Sequence, residues 1–228
     1  MFQTSRTARA ACCVFTAIAL VGCAPQADGQ QLDEQRAFEA PTRLSAPRLA
    51  PYQQSELTRE HLIAMGTDPD NPDVRPRMNL FRTMMHNTEL MDHWRPFGDY
   101  VNASDSISAR DKELLIMRLA WLYFSEYEWG AHYNVALGVG LSEEQIEQTK
   151  VGPQSPVWDD FDRAWLSAAD ELYEQAFVSD ANWEVLKTRY SESELMHMFA
   201  TVAHYHLVAM LTNTLGIERD AFLGPGFE

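Results

Sequence analysis

The sequence predicts an all-α protein, a single helical domain of about eight or nine helices, and three observations support this class. Ser108, Ser142 and Ser191 each stand three residues before an acid or a glutamine, the pattern of a helix start whose first N–H groups are satisfied by side chains. Gly138 and Gly216 follow apolar runs, as at helix ends. No stretch alternates apolar and polar residues with a period of two, so no sheet is expected.

The predicted elements follow in chain order. We expect helices near residues 55–65, 77–86, 88–103, 109–123, 125–138, 142–149, 157–176, 180–189 and 192–215. The Pro- and Asp-rich segment 67–76 is expected to be a loop. Residues 114–124 are apolar except for Arg118, and a helix that is apolar all round is buried in a core or at a subunit interface. Arg118 there needs a partner, either an acid or a substrate carboxylate.

The first 54 residues differ from this domain in composition. Residues 1–22 contain arginines but no acid, followed by a short apolar run, the layout of a secretory signal peptide. That run is too short to span a bilayer as a helix. Residues 23–54 are rich in Gln, Ala and Pro and are predicted to form a flexible tether. Residues 55–228 then form the folded domain, which is long enough for a sizeable core.

The end of the apolar run, Leu20-Val21-Gly22-Cys23, resembles a bacterial lipobox. The resemblance implies that Cys23 is lipidated and becomes the first mature residue, and the alanine that follows it favours the outer membrane. The protein would then be exported and would face the periplasm, held to the membrane by its lipid anchor only. An ordinary signal peptide or a wrongly assigned start is the alternative.

Charge and cysteine content exclude several classes of function. The formal net charge is −15, and loss of residues 1–22, with two arginines and no acid, makes it −17. Such a charge argues against nucleic acid as a partner and against a polybasic membrane contact. The cysteines are Cys12, Cys13 and Cys23, so the mature domain has no free thiol and thiol chemistry is excluded.

The segment SEYEWGAHYNVA, residues 125–136, carries the candidate site. Glu128 and His132 lie four apart and therefore on one face of a helix. A carboxylate beside an imidazole can fix its tautomer and raise its pKa, which suits proton transfer. Two other interpretations stay open. The pair could share a metal, although no HEXXH spacing is present and His204 and His206 point to different sides, or His132 could be a core histidine paired with an acid.

Residues 109–146, ARDKELLIMRLAWLYFSEYEWGAHYNVALGVGLSEEQI, resemble the carboxymuconolactone decarboxylase family, which includes the alkyl hydroperoxidase D-type proteins. The redox branch has a glutamate, a CxxC pair and a histidine four residues after the second cysteine. Glu113 and His132 match that glutamate and histidine, whereas Ser125 and Glu128 stand at the cysteine positions. The resemblance implies an alkyl hydroperoxidase D-like helical fold, but in a cysteine-free branch that is closer to the lactone decarboxylases than to dithiol peroxidases.

By this resemblance the chain is expected to be a cofactor-free acid–base enzyme, a lyase acting on a small unsaturated carboxylic acid or lactone. His132 would donate the proton, Glu128 would orient it and Glu113 would complete a relay. Further residues are predicted to contact substrate: Arg118, Tyr127, Trp129, Tyr133 and His206. No metal and no cofactor is expected, and the resemblance implies a homo-oligomer, a trimer or hexamer. The alternative is a lipid-anchored binding or structural member without catalysis.

Overall fold

Helices begin where the sequence places its serine caps. In the computed structural model, which describes residues 44–71 and 78–227, the Ser142 hydroxyl accepts a hydrogen bond from the Gln145 N–H, and the Gln145 side chain accepts one from the Ser142 N–H. The same reciprocal pair joins Ser191 and Glu194. Ser108 caps in one direction only, accepting from the N–H of Asp111. The acid at 111 instead accepts from Arg189 and from the hydroxyl of Tyr190.

The predicted fold class is confirmed. Within the described residues the chain forms α-helices and short 3₁₀ turns, and no strand. The α-helices are α1 Arg59–Ala64, α2 Asn79–Met84, α3 Thr88–Ala103, α4 Ala109–Leu122, α5 Glu126–Gly138, α6 Glu143–Val151, α7 Asp160–Gln175, α8 Asp180–Leu186 and α9 Glu192–Leu215. The 3₁₀ turns are Gln54–Glu56, Met85–Asn87 and Gly152–Gln154. Helix α9 ends at Gly216, whose φ of 69° places it in the left-handed region that glycine adopts without strain.

Helix α4 is the centre of the core. It packs against α5, α6, α7 and α9, and Leu114, Leu115, Ile116, Met117 and Leu119 are each completely buried. Burying such a side chain contributes roughly 1.5–3 kcal/mol. The sequence allowed this apolar segment to lie either in the core or at a subunit interface. In the structure these five residues lie in the core of a single protomer.

The N-terminal part of the domain differs most from expectation. Instead of one helix over 55–65, a 3₁₀ turn is followed by α1, because the Thr58 hydroxyl accepts the N–H of His61 and starts a new helix there. Residues 44–54, predicted as tether, contact the domain: the Arg48 N–H donates to the Leu215 carbonyl, and Arg82 donates to the Tyr52 carbonyl. The signal peptide, Cys23 and the rest of the tether lie outside the described residues.

None of the helices within the described residues is long and apolar enough to cross a membrane.

Candidate active site

Helices α4 and α5 bring the three predicted catalytic residues together. Nδ1 of His132 lies 2.8 Å from Oε2 of Glu113, a hydrogen-bond distance. Nε2 of the same ring lies 3.6 Å from Oε2 of Glu128. The exposed fractions of these side chains are 15 % for His132, 8 % for Glu113 and 5 % for Glu128. The imidazole therefore stands between two buried carboxylates, one at each nitrogen.

The roles of the two carboxylates differ from those predicted. The sequence assigns the orientation of His132 to its helical neighbour Glu128. In the structure Glu113, from the other helix, makes the hydrogen bond that fixes the ring, and Glu128 stays beyond hydrogen-bond distance. The pairing of Nδ1 with Glu113 leaves Nε2 as the nitrogen that faces Glu128.

The surroundings of Glu128 and His132 raise the pKa of both groups. Burial raises the pKa of Glu128 to about 7; the charge on His132 opposes this shift and that on Glu113 adds to it. Burial lowers the pKa of His132, but the charge of Glu113 and its hydrogen bond, with a smaller effect of Glu128, outweigh burial and leave the pKa raised. A carboxyl group that titrates near 7 beside an imidazolium is suited to general acid–base catalysis.

We expect Glu128→Gln to stabilise the protein at pH 8 by about 1–3 kcal/mol relative to the parent. Because the folded-state pKa of Glu128 is raised, its contribution to stability is full below about pH 4.5 and is lost as the pH rises through about 7. Glutamine has no proton to lose, so the difference in Tm between variant and parent should grow between pH 5 and pH 8. Glu144→Gln, at an exposed position on α6, should show no such trend, and a flat difference for Glu128→Gln would contradict the assignment.

The start of α5 explains how Glu128 is placed. The Ser125 hydroxyl accepts the N–H of Glu128 at 3.3 Å and lies 3.1 Å from the hydroxyl of Thr212 on α9. Phe124, just before it, has a φ of 54°, a left-handed conformation that is costly for an aromatic residue and turns the chain sharply between α4 and α5. Ser125 thus occupies the first cysteine position of the family pattern as a completely buried helix cap.

Tyr205 belongs to the site and was not predicted. Its ring meets the ring of His132 edge to face at 5.0 Å, and its hydroxyl donates to Oδ1 of Asn102 at 2.7 Å. Burial raises its pKa well above the ordinary value, and the charges of Glu128 and Glu113 add to this. The sequence does hold a signal for Tyr205, because it shares the buried face of α9 with Met198. A tyrosine buried in this way needs a hydrogen-bond partner.

Arg118 and Tyr127, two of the predicted substrate contacts, have hydrogen-bond partners within the protein. Nε and Nη2 of Arg118 donate to the two carboxylate oxygens of Asp170, and Nη1 donates to the carbonyls of Thr149 and Lys150. Of the two partners that the sequence allows for Arg118, an acid and a substrate carboxylate, the structure shows the acid, Asp170. The Tyr127 hydroxyl donates to Asp220 and accepts the Leu80 N–H, in a position that is 3 % exposed.

The three remaining predicted contacts differ in their surroundings. Trp129 is completely buried in the core, with Nζ of Lys150 4.8 Å from the centre of its ring. Tyr133 is half-buried and lies against Trp129. His206 is exposed on α9 and stacks on Tyr123 at 4.4 Å. The ring that packs against His132 edge to face is that of Tyr205.

Metal ligation is not supported by the placement of the acids. Within residues 44–71 and 78–227 no three histidine, cysteine or acidic side chains are arranged to hold one ion. Glu113 and Glu128 flank opposite nitrogens of His132, so the three side chains do not converge on one point. His204 stacks on Trp94, and burial together with the charge of His132 lowers its pKa to about 4.

The comparisons with known proteins agree with this fold. Residues 88–152, which hold all three site residues, match the Carboxymuconolactone decarboxylase family. The sequence has no significant match among curated proteins. An alkylhydroperoxidase AhpD core structure, an uncharacterized peroxidase-related protein from Ralstonia eutropha JMP134, superposes with a TM-score of 0.63 at 17 % identity, covering 76 % of this chain and 93 % of that one.

Two further solved structures are similar. A cysteine-to-alanine variant of the debrominase Bmp8 in complex with 2,3,4-tribromopyrrole has a TM-score of 0.61 at 16 % identity, covering 79 % of this chain and 95 % of that one. An uncharacterized peroxidase-related protein from Silicibacter sp. TM1040 has a TM-score of 0.59 at 14 % identity, covering 82 % and 96 %. At such low sequence identities these structures are evidence for the fold alone. The chain therefore carries a carboxymuconolactone decarboxylase family domain at residues 88–152, within an all-helical fold of the AhpD-like type.

Proposed function

We propose that this protein is a cofactor-free acid–base enzyme that acts on a small unsaturated carboxylic acid or lactone, by decarboxylation or a related proton transfer. The observation that carries the proposal is the buried array in which Glu113 holds Nδ1 of His132 and Glu128, with a pKa of about 7, faces Nε2. The sequence has no cysteine after residue 23, which speaks against a dithiol peroxidase, because that chemistry needs a thiolate and a resolving thiol.

The proposed reaction balances without a cofactor. The bond between the substrate carbon and its carboxylate breaks, CO₂ leaves, and the electron pair is delocalised into the conjugated lactone carbonyl as an enolate. His132 then donates its proton to carbon, and water restores that proton. Glu113 stabilises the imidazolium before the transfer, and the low exposure of the site strengthens each of these electrostatic effects.

A second candidate function is a binding or structural role without catalysis, and one observation favours it. Two surface cavities of about 690 and 640 Å³ are lined by residues other than Glu113, Glu128 and His132. Substrate pockets usually hold their polar groups within such a cavity. In this alternative His132 would be a buried histidine satisfied by its acids. For either function we propose export and anchoring through Cys23, as the N-terminal sequence predicts.

The two candidates are separated by measuring binding and turnover on the same compounds. The full chain would be incubated in D₂O with a panel of small unsaturated acids and lactones, while NMR follows CO₂ release and carbon-bound deuterium. Thermal shift would report binding, because a ligand that binds the native state raises its Tm. Turnover that disappears in His132→Ala supports the enzyme. Binding without CO₂ release or deuterium incorporation for every compound would favour the non-catalytic role.

A further inference from the structure

An exposed stripe of four apolar and two uncharged polar residues runs along α9. The residues Met196, Phe199, Ala203, His206, Met210 and Asn213 are all exposed and follow one another at spacings of three and four. This is the a/d pattern of a helix that packs lengthwise against another helix. We call these six residues the α9 stripe. The α9 stripe is thus an uncharged exposed face, opposite the face of α9 that is buried within the protomer.

The surface next to the α9 stripe is also largely apolar. A groove of about 640 Å³ lies beside it, with a floor and walls that include Tyr123, Leu172, Trp183 and Val202. Trp183 stacks on Phe199 at 6.2 Å, which extends the apolar surface to α8. Phe177, at the rim of the groove, is 61 % exposed. The same face therefore presents both protruding side chains and a hollow.

We infer that the α9 stripe is the contact between two copies of this chain, with the two α9 helices antiparallel about a two-fold axis near Ala203. The spacing supports this, because Met196 and Met210 lie seven residues on either side of Ala203 and would face each other across the axis. A contact about a two-fold axis uses one patch twice, so the patch must complement itself. Protruding methionines beside a hollow meet this condition, and alanine lets the helix axes approach closely.

Charge favours a second copy over a charged partner. The chain carries a formal net charge of −15, yet between Glu194 and Glu218 there is no charged residue. Two copies of such an acidic chain repel each other unless the faces that meet carry no charge. The only charged residue that lines the adjoining groove, among the residues described, is Asp180 at its edge.

The exposed apolar area of this face is close to the apolar area that a stable interface needs. Met196, Phe199, Met210 and Phe177 are 68, 37, 48 and 61 % exposed, which at about 200 Å² per large side chain amounts to roughly 400 Å². A stable interface buries about 800 Å² per partner, of which somewhat more than half is apolar. The α9 stripe and Phe177 thus supply most of the apolar area that a stable interface needs.

The inference is tested by the mass of the full chain in solution, using sedimentation or light scattering. We expect the parent to associate, and Met210→Glu to weaken association by at least about 100-fold, because an unpaired carboxylate would be buried at the contact. Ile63→Glu is the matched control: Ile63 is 56 % exposed, but on α1, and the variant should associate like the parent. A monomeric parent, or a Met210→Glu variant that still associates, would overturn the inference.

Cross-linking tests the position of the axis. With Cys12, Cys13 and Cys23 replaced by serine, Ala203→Cys should form a disulfide-linked dimer on mild oxidation, because the two Cβ atoms would meet at the axis. Asn134→Cys, exposed on α5, should stay unlinked. Failure of the cysteine at 203 to link under conditions where the protein is associated would overturn the antiparallel arrangement.

Discussion

His132→Ala is expected to lower kcat/KM by about 10³-fold on any substrate that the parent converts, the middle of the range for removing a general acid or base. The imidazole lies between the two buried carboxylates, 2.8 Å from Glu113 and 3.6 Å from Glu128. Without it, Glu113 and Glu128 would be two buried acids with no cation between them, and the pKa of Glu128 should rise further. Steady-state kinetics over pH 5–9 measure the loss, and added imidazole should partly restore the rate.

Glu113→Gln tests the electrostatic part of the same mechanism. The pKa of His132 is raised because the effect of Glu113 outweighs that of burial. Glutamine can still accept the hydrogen bond but carries no charge, so the pKa of His132 should fall. The limb of the pH–rate profile that reports loss of the imidazolium proton should therefore move to lower pH, with a smaller loss of rate than in His132→Ala.

Controls separate these effects from damage to the fold. His93→Ala removes an exposed imidazole from α3 and should leave kinetics and Tm unchanged. Circular dichroism of His132→Ala should match that of the parent. A His132→Ala variant with the parent's rate would eliminate the proton-transfer mechanism, and an unshifted profile for Glu113→Gln would eliminate Glu113 as the source of the raised pKa.

The helical fold could be predicted because local signals and burial agree along most of the chain. α3 and α9 have the predicted bounds, 88–103 and 192–215, since a cap marks the start of each and the ends carry clear breaks in the pattern. The helix over 55–65 could not be predicted, because the competition between one long helix and a new start at Thr58 is decided by a single hydrogen bond. A capping threonine inside a polar segment is a weak signal.

The site could be predicted only as far as helical spacing and the family pattern reach. Spacing gives the Glu128–His132 pair, and the family pattern adds Glu113. The assignment of the direct hydrogen bond to Glu113 depends on how α4 lies against α5, which the spacing on either helix does not contain. Tyr205 comes from α9, 73 positions beyond His132 in the chain, and only tertiary packing places its ring there. Arg118 was predicted as a substrate contact because a charged side chain in an apolar helix needs a partner. The sequence could not show which partner it has, and in the structure it pairs with Asp170.

Arg118→Ala is expected to destabilise the protein by about 3–5 kcal/mol, the cost of removing one partner from a buried ion pair. Arg118 is 7 % exposed and donates to both oxygens of Asp170 and to the Thr149 and Lys150 carbonyls. It thereby joins α4 to α7 and to the end of α6. Against a total stability of about 5–15 kcal/mol, this loss is large. The shift of the urea midpoint measures it.

The Arg59–Asp70 pair is the matched control for this prediction. It has the same chemistry, with Nη1 of Arg59 2.5 Å from Oδ1 of Asp70, but the side chains are 63 and 71 % exposed. Arg59→Ala should therefore leave the urea midpoint nearly unchanged, because water solvates both groups and screens their attraction. Arg118→Lys should fall between the two, since a lysine cannot form the two parallel bonds to Asp170. The double variant Arg118→Leu with Asp170→Leu should be more stable than Arg118→Ala alone, because it leaves no buried charge unpaired. If Arg118→Ala instead kept the parent's urea midpoint and raised only KM, its role would be to bind substrate.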